Sequence, residues 1–141
     1  MNELERMLAK VRLLLAEIRS EEGLLQGQRE QFRSQLARLP SLPLYRSDLH
    51  ACLAAMADIE DKLAHAERRL GHLAAVKKRA QEELESLELT KIIEEAKAEL
   101  AALRARGGAA EEIGRLEHLI AEASQRAAAS VASFRPGAGQ S

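Results

Sequence analysis

The chain contains no tryptophan, one tyrosine and two phenylalanines, so any interior must be built from Leu, Ile, Val, Met and Ala, the residues that fill seams between helices. That scarcity argues against a compact mixed fold. A single cysteine, Cys52, excludes an internal disulfide framework and suits a reducing compartment. The formal net charge is -1, which gives no general electrostatic pull toward nucleic acid or an anionic membrane. Long apolar runs are also missing. The opening stretch "MNELERMLAKVRLLLAEIRS" is interrupted by charges every few residues, and reads as neither a signal peptide nor a membrane span. The expectation is a soluble, cytoplasmic protein.

Of the three prolines, two lie in "RLPSLPLYRSDL", residues 38–49. What flanks this stretch is helical in pattern. Leu4, Val11, Ile18, Leu25, Phe32 and Leu39 recur every seven residues. Their companions four residues on are Leu8, Leu15, Glu22, Arg29 and Leu36, which together describe a coiled-coil seam with two polar interruptions. Asn2, with Glu5 three residues later, has the pattern of a helix cap. The first helix is expected over residues 3–38, ended by Pro40.

Ser41 is expected to cap a second helix, with Pro43 in its first turn. This helix, over residues 42–105, carries Leu42, Leu49, Met56, Leu63 and Leu70, partnered by Tyr45, Cys52, Ile59, Ala66, Leu73, Ala80 and Leu87. With Pro40 as a tight corner, the two stripes fold together at residue numbers adding to about 81, with a slip of one heptad left open. That register sets Leu8 against Leu73, Val11 against Leu70, Ile18 against Leu63, Leu25 against Met56, and Phe32 against Leu49. Lys77 then faces Leu4 at the open end, where its ammonium reaches water.

After Leu84 and Leu87 the apolar positions change phase to Leu89, Ile93, Ala96, Leu100 and Leu103, a two-residue skip that rotates the stripe by roughly 200°. A partner on the other side is required. "ARGGAAEE" supplies the reversal through Gly107 and Gly108. A third helix, residues 109–133, offers Ile113, Leu116, Ile120, Ala123 and Ala127, at numbers adding to about 216 with the shifted stripe. The expected fold is therefore all-α: antiparallel coiled-coil hairpins sharing a long central helix, as a zigzag or a three-helix bundle. Residues 1–134 read as one helical domain, and 135–141 as a disordered tail.

Met7, Leu14, Leu53 and Val76 flank the seam and widen the apolar face beyond what one partner helix covers. Helix three could cover them, but the favoured expectation is a helix from another chain. Glu22 and Arg29 join them as candidate interface residues, since polar seam residues fix register or partner choice; alternatively, both simply reach water. No catalytic constellation emerges. His65 and His72 stand two turns apart, too far for joint metal ligation, while His50 and His118 lack a suitably spaced second histidine. Cys52 on the seam reads as a small buried apolar group, and the carboxylates of "EELESLE" have no cleft around them. "KKRA", Lys77 to Ala80, reads as a solvated charge pattern. Enzymatic activity, a cofactor and a metal site are not expected.

Residues 45–80, with Tyr45, Leu49, Met56, Ile59, Leu63, Ala66, Arg69, Leu70 and Leu73 at matching intervals and "KKRA" following, resemble the snapin and pallidin type of coiled-coil subunit found in the complex for biogenesis of lysosome-related organelles. The resemblance implies a non-enzymatic subunit that zips into a hetero-oligomer at the cytosolic face of endosomes or lysosomes. Taken with the seams, it makes a scaffold for other coiled-coil proteins the favoured expectation, with no nucleic acid partner and no direct membrane insertion. A self-associating homodimeric spacer or stator is the alternative.

Overall fold

The computed structural model describes residues 2–43 and 47–134, in which the protein is all-α, with three helices and no strand. Tyr45 and the tail 135–141 lie outside the described residues. Helix α1 spans Glu3–Arg38, α2 spans Leu49–Ala105 and α3 spans Ala110–Phe134. α1 packs on α2, and α2 on α3. No helix among the described residues is long and apolar enough to cross a membrane.

The amide of Glu5 donates to Asn2 Oδ1 at 2.8 Å, satisfying one of the four amides that a helix start leaves open. At the other end the chain tightens into a 3₁₀ turn, Leu39–Ser41, with Pro40 inside it. Ser41 does not cap α2. Its hydroxyl donates to the Arg38 carbonyl at 2.7 Å and so closes α1. Pro43 disfavours helical angles in the residue before it, and Leu42 is extended, with φ -71 and ψ 132. Pro43 is itself helical, residues 44–46 lie outside the described residues, and the described helix α2 begins at Leu49, where Asp48 Oδ1 accepts from the amide of Ala51 at 3.1 Å.

The later start of α2 changes the register. Arg33 Nη2 meets Glu67 Oε1 at 3.2 Å, and Lys77 Nζ meets Glu22 Oε1 at 3.0 Å. One depression is shared by Leu39, Leu42 and Ile59, and another by Phe32 and Ala66. Phe32 thus sits near Ala66 instead of Leu49, and Lys77 reaches Glu22 instead of lying open beside Leu4. The stripes meet as expected, but well over two heptads further along α2. The end of α1 and the link after it, through Gln35, Arg38, Leu39 and Leu42, line one depression with Ile59, so the reversal is not the tight corner at Pro40 that the expected pairing assumed.

The described helices form two compact units, one within residues 14–78 and the other of residues 2–13 with 79–134. In the first, Leu15, Ile18, Leu25 and Leu39 are buried on one side of the seam and Cys52 and Ala66 on the other. Each fully buried Leu or Ile contributes about 1.5–3 kcal/mol. In the second, Leu8 and Val11 of α1, Ala80, Leu89, Ala96, Leu100 and Leu103 of α2, and Ala123 of α3 are buried. The change of phase is present: Leu84 and Leu87 are half-buried, and burial passes to Leu89, Ala96, Leu100 and Leu103. On α3, Ile113, Leu116, Ile120 and Ala127 are half-buried beside Ala123. Arg104 Nη2 bonds Glu117 Oε1 at 2.8 Å, about one turn further along α3 than the expected register.

The exit of α2 shows why two consecutive glycines are needed. Gly107 has φ +68, its amide bonds the Arg104 carbonyl at 3.3 Å, and the Gly108 amide bonds the Leu103 carbonyl at 2.8 Å. This crossed pair is the Schellman arrangement, which consumes orphan carbonyls of the last turn. A Cβ on Gly108 would stand 3.0 Å from Leu103 Cδ2 and 3.1 Å from its carbonyl oxygen. Gly107→Ala is expected to lower stability by about 1–2 kcal/mol, the cost of a left-handed non-glycine residue. A thermal melt followed by circular dichroism checks this, and an unchanged midpoint would refute the role given to the turn.

Candidate partner-binding flank of the hairpin

Within residues 14–78, ion pairs mark the two flanks of the α1–α2 seam. Arg69 Nη2 stands 3.5 Å from Glu21 Oε1 on one flank, and the Arg33–Glu67 pair lies on the other. On a helix, Arg69 and Glu67 are about 200° apart, on either side of the seam residues Ala66 and Leu70. Leu14 is one heptad before Glu21, and Val76 one heptad after Arg69. The two apolar side chains therefore share the Glu21–Arg69 flank. They are 40% and 48% exposed.

The same flank is furrowed. A depression of about 230 Å³ is lined by Arg69, His72, Leu73 and Val76. A second, of about 300 Å³, is lined by Gln28, Phe32, Ala66 and the polar Asp58, Asp61, Lys62 and His65. Half-buried Phe32 and Leu73 provide their apolar floors. This is the form of a groove between paired helices, with apolar side chains at the bottom and charges along the rims.

The structure distributes the candidate interface residues over several places. Leu14 and Val76 lie on one flank. Leu53, 53% exposed, lies two heptads before Glu67 and so faces the opposite flank, with Leu49 one turn earlier. Met7 is exposed on α1 in the other compact unit. Glu22 and Arg29 occupy the seam itself, half-buried, with Glu22 engaged by Lys77. The register across the hairpin did not follow from Pro40. A signal existed in the seam polar residues: bringing Glu22 to Lys77 yields the observed register.

Other chemistry-bearing residues have local roles. Cys52 is buried, with its Sγ 3.9 Å from Met56 Sδ, a packing contact between soft atoms. His118 Nε2 lies 3.2 Å from Glu122 Oε1 on the exposed face of α3. Among the described residues no group of His, Cys, Asp and Glu is placed to hold a metal ion. No family model, curated protein or solved structure matches the chain.

Proposed function

We propose that the protein is a non-enzymatic coiled-coil scaffold subunit that holds other helical chains in register within a multi-subunit assembly. The observation that supports this reading is the Leu14–Val76 flank, where two large apolar side chains remain 40% and 48% exposed after the chain's own helices have paired. A two-helix hairpin buries only one stripe of each helix. An added helix in the furrow would cover Leu14, Val76 and the exposed edges of Phe32 and Leu73, at about 25 cal/mol per Å² of apolar surface removed from water. Glu21 and Arg69 on the rim would favour a partner with charges of both signs. The endosomal or lysosomal setting rests on the resemblance of residues 45–80 to snapin-type and pallidin-type subunits, and on that alone.

Light scattering across a concentration series, with circular dichroism alongside, tests the reading. The expected result is a helical chain without a defined homo-oligomer that captures helical partners from cell extract. A stable homodimer would favour a self-associating spacer. Leu14→Glu with Val76→Glu, both at exposed positions, is expected to leave the melting temperature within a few degrees of the original and to abolish capture. Undiminished capture by that double variant would exclude this flank.

A further inference from the structure

Three polar side chains interrupt the seam between α1 and α2 in residues 14–78: Glu22, Arg29 and Lys77. Glu22 and Lys77 pair at 3.0 Å, with their side chains only 19% and 31% exposed. Arg29, one heptad after Glu22 on the same stripe, finds no such partner. Its nearest carboxylate is that of its sequence neighbour Glu30 at 3.6 Å, and its buried Nε has no hydrogen-bond acceptor. A buried N–H left without an acceptor is unfavourable, and a leucine at this position would pack the seam better. Arg29 therefore does nothing visible for the register in which it is found.

Its effect lies in the registers it prevents. A seam of heptads is degenerate: sliding one helix by seven residues, about 10 Å, returns seam positions to seam positions. The link from Leu39 to Asp48, about 33 Å if extended, does not forbid such a slip. The three polar residues do distinguish the registers. With Glu22 opposite Lys77, opposite charges meet. One heptad in one direction, Lys77 comes opposite Arg29, and like charges meet in a half-buried seam. One heptad in the other, Lys77 faces Leu15 and Glu22 faces Leu70, leaving two charges unpaired against leucines. Both alternatives carry the penalty of a desolvated charge without its partner.

We propose that Glu22, Arg29 and Lys77 form a register lock, in which the Glu22–Lys77 pair selects the native alignment and Arg29 excludes the alignment one heptad away. The lock determines which side chains meet across the hairpin.

Pulsed electron spin resonance between labels on Ala16→Cys and Glu60→Cys, both exposed positions, tests the lock in the full chain carrying Cys52→Ala. With Arg29 present a single distance is expected. Arg29→Leu is expected to keep the single distance and to keep or raise the melting temperature, because Glu22 and Lys77 still hold each other. Arg29→Glu, which offers Lys77 a partner in the excluded register, is expected to add a second population, longer by about 10 Å. A single unchanged distance in Arg29→Glu would overturn the proposal. So would a lower melting temperature for Arg29→Leu, because Arg29 would then be supporting the native register instead of opposing another.

Discussion

Ile18→Asp is expected to unfold the α1–α2 hairpin. Ile18 is 4% exposed, between the equally buried Leu15 and Leu25 on the α1 side of the seam. Removing its side chain forfeits burial and leaves a cavity, and the replacement must either carry a charge into the seam or take up a proton to remain there. The combined loss is roughly 3–5 kcal/mol, comparable to the whole stability of a small domain. Leu63→Asp on α2 is expected to cost less, because Leu63 is only half-buried and a carboxylate can turn toward water. Leu24→Asp is the control. Leu24 is 58% exposed on the outer face of α1, and its replacement is expected to change stability by under about 0.5 kcal/mol. Urea unfolding followed by circular dichroism measures all three, and equal midpoints for Ile18→Asp and Leu24→Asp would refute the seam.

Leu100→Asp addresses the second seam, where the apolar stripe of α2 has changed sides. Leu100 is 8% exposed, and with Ala101 and Arg104 of α2 it lines a depression shared with Glu117 and Ile120 of α3. A carboxylate there is expected to detach α3 at a cost of roughly 3 kcal/mol. Ile92→Asp provides the contrast, since Ile92 is 43% exposed in the same part of α2. An unshifted periodicity would not separate these two residues so sharply. Limited proteolysis reads the difference: cleavage within α3 is expected to accelerate for Leu100→Asp and to stay unchanged for Ile92→Asp. Equal cleavage rates would mean that α3 does not depend on the shifted stripe.

Much of this fold was legible because helical periodicity is a property of each segment alone. The recurrence of Leu8, Val11, Leu15, Ile18 and Leu25 named the buried stripe of α1, and the skip after Leu87 named the side of α2 that α3 covers. Asn2 as a cap and the Gly107–Gly108 exit followed from local hydrogen-bond requirements, which involve only neighbouring residues. Boundaries were less secure where two local solutions compete. Ser41 and Asp48 can each cap a helix, and the extended angles that Pro43 favours at Leu42 accompany the choice of Asp48.

Register belongs to a different level, because it is a relation between two helices and a heptad repeat is satisfied by every alignment seven residues apart. Composition and pattern alone determined that this protein is helical, where each helix is apolar and where the stripe changes sides. Only the tertiary structure decided which residues meet: Glu22 with Lys77, and Arg33 with Glu67. The physical reason is that apolar burial is non-directional and nearly indifferent to a heptad slip, whereas a half-buried charge has few acceptable partners.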